Sequence, residues 1–168
     1  MTGQEKTKLK KKIGGKDKSY ESNLTFRSML ELGFDRFVAI VAASIENTTD
    51  LNPSQYVDAW KKDLLKWRQR EGYDPSIWVV GYKDDEPVGF VIPRLWEKGK
   101  WTEINTGDIL EIGVMPKHRR KGYGESLLRK GIASLAGKGA EEVVLWVDST
   151  NEPALNLYRK VGFKVTDN

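Results

Sequence analysis

Cysteine is absent from the 168 residues. That excludes a disulfide framework, a thiolate metal site and a cysteine nucleophile. His118 is the single histidine, so no histidine cluster can hold a metal, and none is expected. A Ser-His-Asp triad would have to use His118, which stands in a basic loop without an acidic neighbour in sequence. No apolar run approaches the ~20 residues of a membrane-spanning helix. The lysine-rich N-terminus is not followed by the apolar segment of a secretory signal, so the expectation is a cytoplasmic protein without a membrane partner.

What is present is ordinary for one globular domain: 39% hydrophobic and 31% charged residues. The net charge of +4 is unevenly placed. Residues 1–20 hold seven lysines against Glu5 and Asp17 and so carry +5, which leaves −1 for the other 148. Without periodicity, and with Gly14-Gly15, this stretch is predicted to be a flexible, solvated arm. Its charge could instead contact nucleic acid or an acidic partner. Residues 21–168 are predicted to form a single domain.

Alternation over Leu24, Phe26 and Ser28 suggests a short strand. Helical spacing of Phe34, Phe37, Val38, Val41 and Ile45 gives a first helix. Asn52-Pro53 caps a second, striped by Val57, Trp60, Leu64 and Trp67 and ending by Gly72. Strands Ile77–Tyr82 and Pro87–Pro93 flank a hairpin turn, and a fourth strand runs from about Ile104 to Met115. A third helix starts near Gly122 and buries Leu127, Leu128, Ile132 and Leu135. The apolar run Val143–Val147 reads as a central strand covered on both faces. A fourth helix follows Asn151 and ends at Gly162, and Phe163–Val165 begins a last strand. The order β-α-α-β-β-β-α-β-α-β predicts an α/β protein in three layers, with a mixed sheet covered by helices and one right-handed parallel crossover between Ile109 and Val147.

The most informative segment is ILEIGVMPKHRRKGYGESLLR, residues 109–129. A hydrophobic strand leads into the basic loop Arg119-Arg120-Lys121-Gly122-Tyr123-Gly124, which opens a helix. A helix N-terminus offers unpaired N–H groups and partial positive charge. Glycine lets that backbone approach a diphosphate closely, and arginine or lysine adds charge. Rival phosphate motifs fail: Glu125-Ser126 follows Gly124 where a Walker loop needs Lys-Ser/Thr, and Leu127 stands where a dinucleotide fingerprint needs a third glycine. A helix-starting turn with solvated charges is the plainer alternative.

With Arg119, Gly122 and Gly124 in that spacing after a strand, the chain resembles the GNAT family of N-acetyltransferases over roughly residues 23–166. The segment VVLWVDSTNEPALNLYRKVGF, residues 143–163, strengthens the likeness through Asn151, Tyr158 and a closing Gly-Phe. The resemblance implies the GNAT fold. It implies acetyl-CoA as co-substrate, its pyrophosphate on the amides of Arg119 to Gly124 and its pantetheine arm beside Val114 and Met115. It also implies an amine as acceptor. Gly113 would suit such a close backbone approach, or packing against a bulky neighbour. Asn151 and Tyr158, two helical turns apart, would both face the ligand.

In that setting a neutral amine attacks the thioester directly, and a tetrahedral intermediate forms on a backbone N–H of Val114 or Met115. Tyr158 is the expected general acid, its phenol pKa of ~10 suiting a leaving thiol at ~8.5. A core aromatic anchoring the helix is the alternative. Asn151 could be a cap alone. Glu111 is the expected base, with Glu103, Asp108 and Asp148 as rivals. Trp96, Trp101 and Glu103, with Glu97, form the expected acceptor rim, aromatic and acidic to suit a cationic amine. The family usually continues past a sixth strand to a seventh. Here that region is truncated, and the exposed edge could be covered by a second subunit in a homodimer or by the N-terminal arm. A non-catalytic acyl-CoA sensor and a nucleic-acid module acting through the arm are the two other classes the residues allow.

Overall fold

A computed structural model describes residues 4–166. The ends of the expected arm and domain, residues 1–3 and 167–168, lie outside the described residues. The elements run β1 (Lys6–Lys12), α1 (Gly15–Lys18), β2 (Thr25–Ser28), α2 (Met29–Leu32), α3 (Phe34–Ser44), α4 (Pro53–Arg68), β3 (Val79–Lys83), β4 (Glu86–Trp96) and β5 (Thr106–Val114). A 3-10 turn at Pro116–His118 then leads to α5 (Tyr123–Gly137), β6 (Glu142–Asp148), α6 (Glu152–Val161) and β7 (Lys164–Val165). From β2 onward this is the order read from the sequence, with the one-turn α2 added.

The N-terminal stretch is the correction. Lys6–Lys12 is not an arm but a strand, antiparallel to β6 on one side and to β7 on the other. The seven-stranded sheet has the order β2-β3-β4-β5-β6-β1-β7. The expected gap beside β6 is therefore filled by the start of the chain itself. Leu9 explains the docking: it pairs with Leu145 and is fully buried in the core. Lysines flank it without penalty because their stems can lie along the sheet while the ammonium groups reach water. α1 then lies against α5, where the Tyr20 hydroxyl meets Ser126 Oγ at 3.2 Å.

Local rules account for most other elements. Asn52 caps α4 by accepting from the Gln55 N–H, and the Gln55 side chain answers on the Asn52 N–H. Asp84 and Asp85 both take positive φ, 50° and 63°, as a tight hairpin between β3 and β4 requires. Leu127, Leu128, Ile132 and Leu135 are fully buried between α5 and the sheet. β6 differs from expectation. Its burial alternates, with Val143, Leu145 and Val147 inside and Trp146 53% exposed, so only one face is covered.

Pro93 shapes the middle of the sheet. Lacking an N–H, it cannot complete the ladder inside a strand. The β4–β5 register shifts there, pairing Ile92 with Glu111 but Pro93 with Ile109, so Leu110 is bulged out. The strand nevertheless continues to Trp96, beyond the expected end at Pro93. Among the described residues no helix is long and apolar enough to cross a membrane.

Candidate active site

The parallel pairing of β5 with β6 covers only Thr106–Asp108 against Glu142–Val144. Beyond the bulge the two strands no longer pair, which leaves the β6-facing backbone of Ile109–Val114 without a ladder partner. The hydrogen-bond phase of β5 decides what faces this cleft. The Met115 N–H donates to the Val88 carbonyl at 2.8 Å. In an antiparallel pair bonded and non-bonded positions alternate, so Val114, opposite Gly89, directs its N–H and carbonyl away from β4 and into the cleft. Of the two expected oxyanion donors, Met115 is thus already paired and Val114 is the one with the fitting direction.

The cleft runs toward the N-terminus of α5. Gly122 caps that helix at φ 81°, and the first backbone bond of the helix is from the Ser126 N–H to the Gly122 carbonyl. Among the described residues, the N–H groups of Arg120 to Glu125 donate to no backbone acceptor. Free N–H donors and the positive end of a 15-residue helix are features that can attract an anion. Arg120, at φ 64°, and Lys121 are exposed beside it, and Tyr123 packs edge-on against His118. The Arg119 side chain points elsewhere. Its Nε donates to the Val114 carbonyl at 3.1 Å and its Nη2 to the Ser44 carbonyl at 3.4 Å, so the guanidinium ties the loop to β5 and α3.

The two loop glycines have different reasons. A Cβ on Gly122 would meet nothing within 4 Å, so only the positive φ demands glycine there. A Cβ on Gly124 would make ordinary contacts with Leu157 and Val114. Gly122→Ala should therefore cost about 1 kcal/mol in urea unfolding, whereas Gly124→Ala, inside the helix, should be neutral or slightly stabilising. Equal effects would contradict this assignment. Gly113 serves packing rather than the cleft, since a Cβ there would press on Phe90 and Ile45 at 2.8 and 2.9 Å.

The Glu111 charge reaches Tyr158, so the two lie near each other. Tyr158 is buried, with its ring tilted against Phe163 at 6.0 Å. Burial, and secondarily the Glu111 charge, push its phenol up to about 12. Among the described residues its hydroxyl makes no hydrogen bond. Burial likewise raises the Glu111 carboxyl, opposed by the Ile112 N–H and by Lys6 of β1. The rivals are placed otherwise. Asp108 is held by Arg94 through Nε at 3.2 Å and Nη2 at 2.6 Å. Asp148 is kept low by the backbone and hydroxyl of Thr150. Glu103 lies on the loop 98–103, in a separate depression. Asn151 is exposed and its Oδ1 accepts from the Ala154 N–H at 3.2 Å, which makes it the cap of α6.

The expected acceptor rim is only partly assembled. Trp96 and Trp101 line one cavity, and the Trp96 Nε1–H donates to Asp108. Trp101 also lines a second with Glu103, and Glu97 lines a third. Sequence reasoning missed Lys6 and Lys8, which β1 carries to this side. The alternation of lysine around Leu9 was the available signal. Among the described residues no group of three or more His, Asp or Glu side chains is arranged to hold a metal.

A strand–loop–helix with a free helix N-terminus thus stands beside a splayed strand pair. Residues 41–163 match the model of the acetyltransferase (GNAT) family, and the chain belongs to that family. It is 31% identical over 106 residues to a mycothiol acetyltransferase of Thermobispora bispora, covering 62% of this chain and 36% of that one. It is 38% identical over 95 residues to an N-alpha-acetyltransferase of Sulfurisphaera tokodaii, covering 53% and 57%. The chain thus spans less than two thirds of the length of these relatives. In structure it is similar to a protein of Pyrococcus horikoshii, with a TM-score of 0.67, 23% identity, and 86% and 91% of the two chains covered. An aminoglycoside acetyltransferase from a soil metagenome, solved with sisomicin, has a TM-score of 0.62 at 17% identity, with 86% and 91% covered. At such identities these structures speak for the fold.

Proposed function

We propose that the protein transfers an acetyl group from acetyl-CoA to a primary amine by direct attack. The observation that carries this is the continuous track from the unpaired Val114 N–H to the open N-terminus of α5. The amides of Arg120 to Gly124 would hold the pyrophosphate, and the unpaired edge of β5 would pair with the pantetheine arm. Glu111 accepts the proton of the attacking ammonium, directly or through water. The Val114 N–H stabilises the oxyanion of the tetrahedral intermediate. Tyr158, protonated throughout the neutral range because its phenol lies near 12, gives its proton to the departing thiolate and recovers one from the acylated nitrogen, so that a neutral amide and thiol leave. Family membership and the named relatives support the reaction class. A thiol-release assay with acetyl-CoA and an amine panel tests it, and absence of cofactor binding would sink it.

Glu111 makes the pH dependence specific. A base must be unprotonated, and burial raises this carboxyl. The acid limb of kcat/KM should therefore titrate above the ordinary carboxylate range, with activity rising as pH rises through it. Stability should run the other way. A carboxyl whose folded pKa is raised favours the native state at low pH and loses that contribution as pH climbs from the unfolded toward the folded value. Glu111→Gln should then remove the acid limb and lower activity while raising the melting temperature at neutral pH. A variant that loses stability and keeps the limb would contradict the assignment.

A further inference from the structure

The uncovered face of β1 and β6, with the start of β5, forms the floor of a cavity of about 240 Å³. Lys8, Lys10, Trp96, Trp101, Asp108 and Trp146 are among its lining residues. Its acids are already neutralised: Asp108 by Arg94, and Glu142 by Lys10 at 3.3 Å. Lys8 is different. Among the described residues it has no acidic partner, and its ammonium stands 5.5 Å from the centre of the Trp146 ring. The register places Lys8 directly opposite Trp146, and Lys6 opposite Asp148. Lys6 acts on Glu111. Two residues of strand, about 7 Å, therefore separate the Lys8 position from the position whose charge reaches the base.

Resting on the transferase reading, we infer that the acceptor is an amine carrying an anionic group, a carboxylate or a phosphate, which Lys8 binds above Trp146. The amine then lies at Glu111, with the anion held further along β1. The N-terminal strand is thus part of acceptor recognition, and the cavity does not present the acidic rim that would favour a purely cationic amine. A cation freed of protein partners beside apolar aromatic walls supplies a charge-assisted contact that a neutral acceptor cannot use.

The test compares matched acceptors by thiol release with acetyl-CoA. One arm uses short peptides with glutamate or glutamine at the second position. The other uses a long-chain ω-amino acid, its amide and the corresponding aminoalkyl phosphate. The wild-type protein should favour the anionic member of at least one arm by about tenfold in kcat/KM, mainly through KM, as one charge-assisted hydrogen bond supplies. The favoured arm identifies a peptide or a small amine as the source. Lys8→Gln should abolish the preference and Lys8→Glu should reverse it, while Lys12→Gln, at the far end of β1, should leave it intact. Coenzyme A binding, measured on every variant, reports folding. Failure of the wild-type protein to bind acetyl-CoA would overturn the transferase reading. Binding with equal turnover of the matched acceptors, binding without turnover of any anionic acceptor, or a Lys8→Glu variant with unchanged preference would overturn only the acceptor inference.

Discussion

Tyr158→Phe should lower kcat by about 10²-fold or more, the usual contribution of a positioned general acid, while acetyl-CoA affinity stays close to that of the wild type. The substitution removes only the hydroxyl. The ring that packs against Phe163 remains, so folding should be little affected. The hydroxyl makes no hydrogen bond among the described residues, so no buried partner is left unsatisfied. Steady-state kinetics with calorimetric cofactor titration separate the two quantities. Unchanged kcat would return Tyr158 to the role of a core aromatic, and would favour a binding protein over an enzyme.

Leu9→Ala should destabilise the fold by about 2–5 kcal/mol in urea titration, as truncation of a buried leucine does. A residue in a solvated arm would change stability by less than about 0.5 kcal/mol. The gap between these outcomes is wide enough for one experiment. It matters beyond stability, because β1 carries Lys6 toward Glu111 and Lys8 into the cavity floor. A small effect would mean that the strand is not held between β6 and β7 and that the acceptor inference loses its basis.

The strand–loop–helix around Gly122 was legible because its information is local. A strand, a basic turn, a glycine at positive φ and a helix start all fall within residues 109–129. The α5 core positions were legible for the same reason, through their helical period. β1 was not. Its partners, Glu142–Asp148 and Lys164–Val165, lie at the other end of the chain, and five of its seven residues are lysine. Composition then argued for solvation, while one leucine at the right register position outweighed it. The choice between Val114 and Met115 was hidden too, since period-two alternation shows which way side chains point but not which N–H is already bonded to β4. The expected rim of Trp96, Trp101, Glu97 and Glu103 is spread over three depressions, a placement that sequence spacing does not reveal. Glu111 was singled out by alternation on β5, but its burial was not legible, since the bulge at Leu110 resets the β4–β5 register.

The most direct measurement is amine-dependent thiol release from acetyl-CoA, followed together with cofactor binding by calorimetry. The predicted result is one cofactor bound per chain, and thiol release that requires an amine and is lost in Tyr158→Phe while binding persists. Failure of the wild-type protein to bind acetyl-CoA at all would contradict the reading of the α5 N-terminus and the β5–β6 cleft as its site.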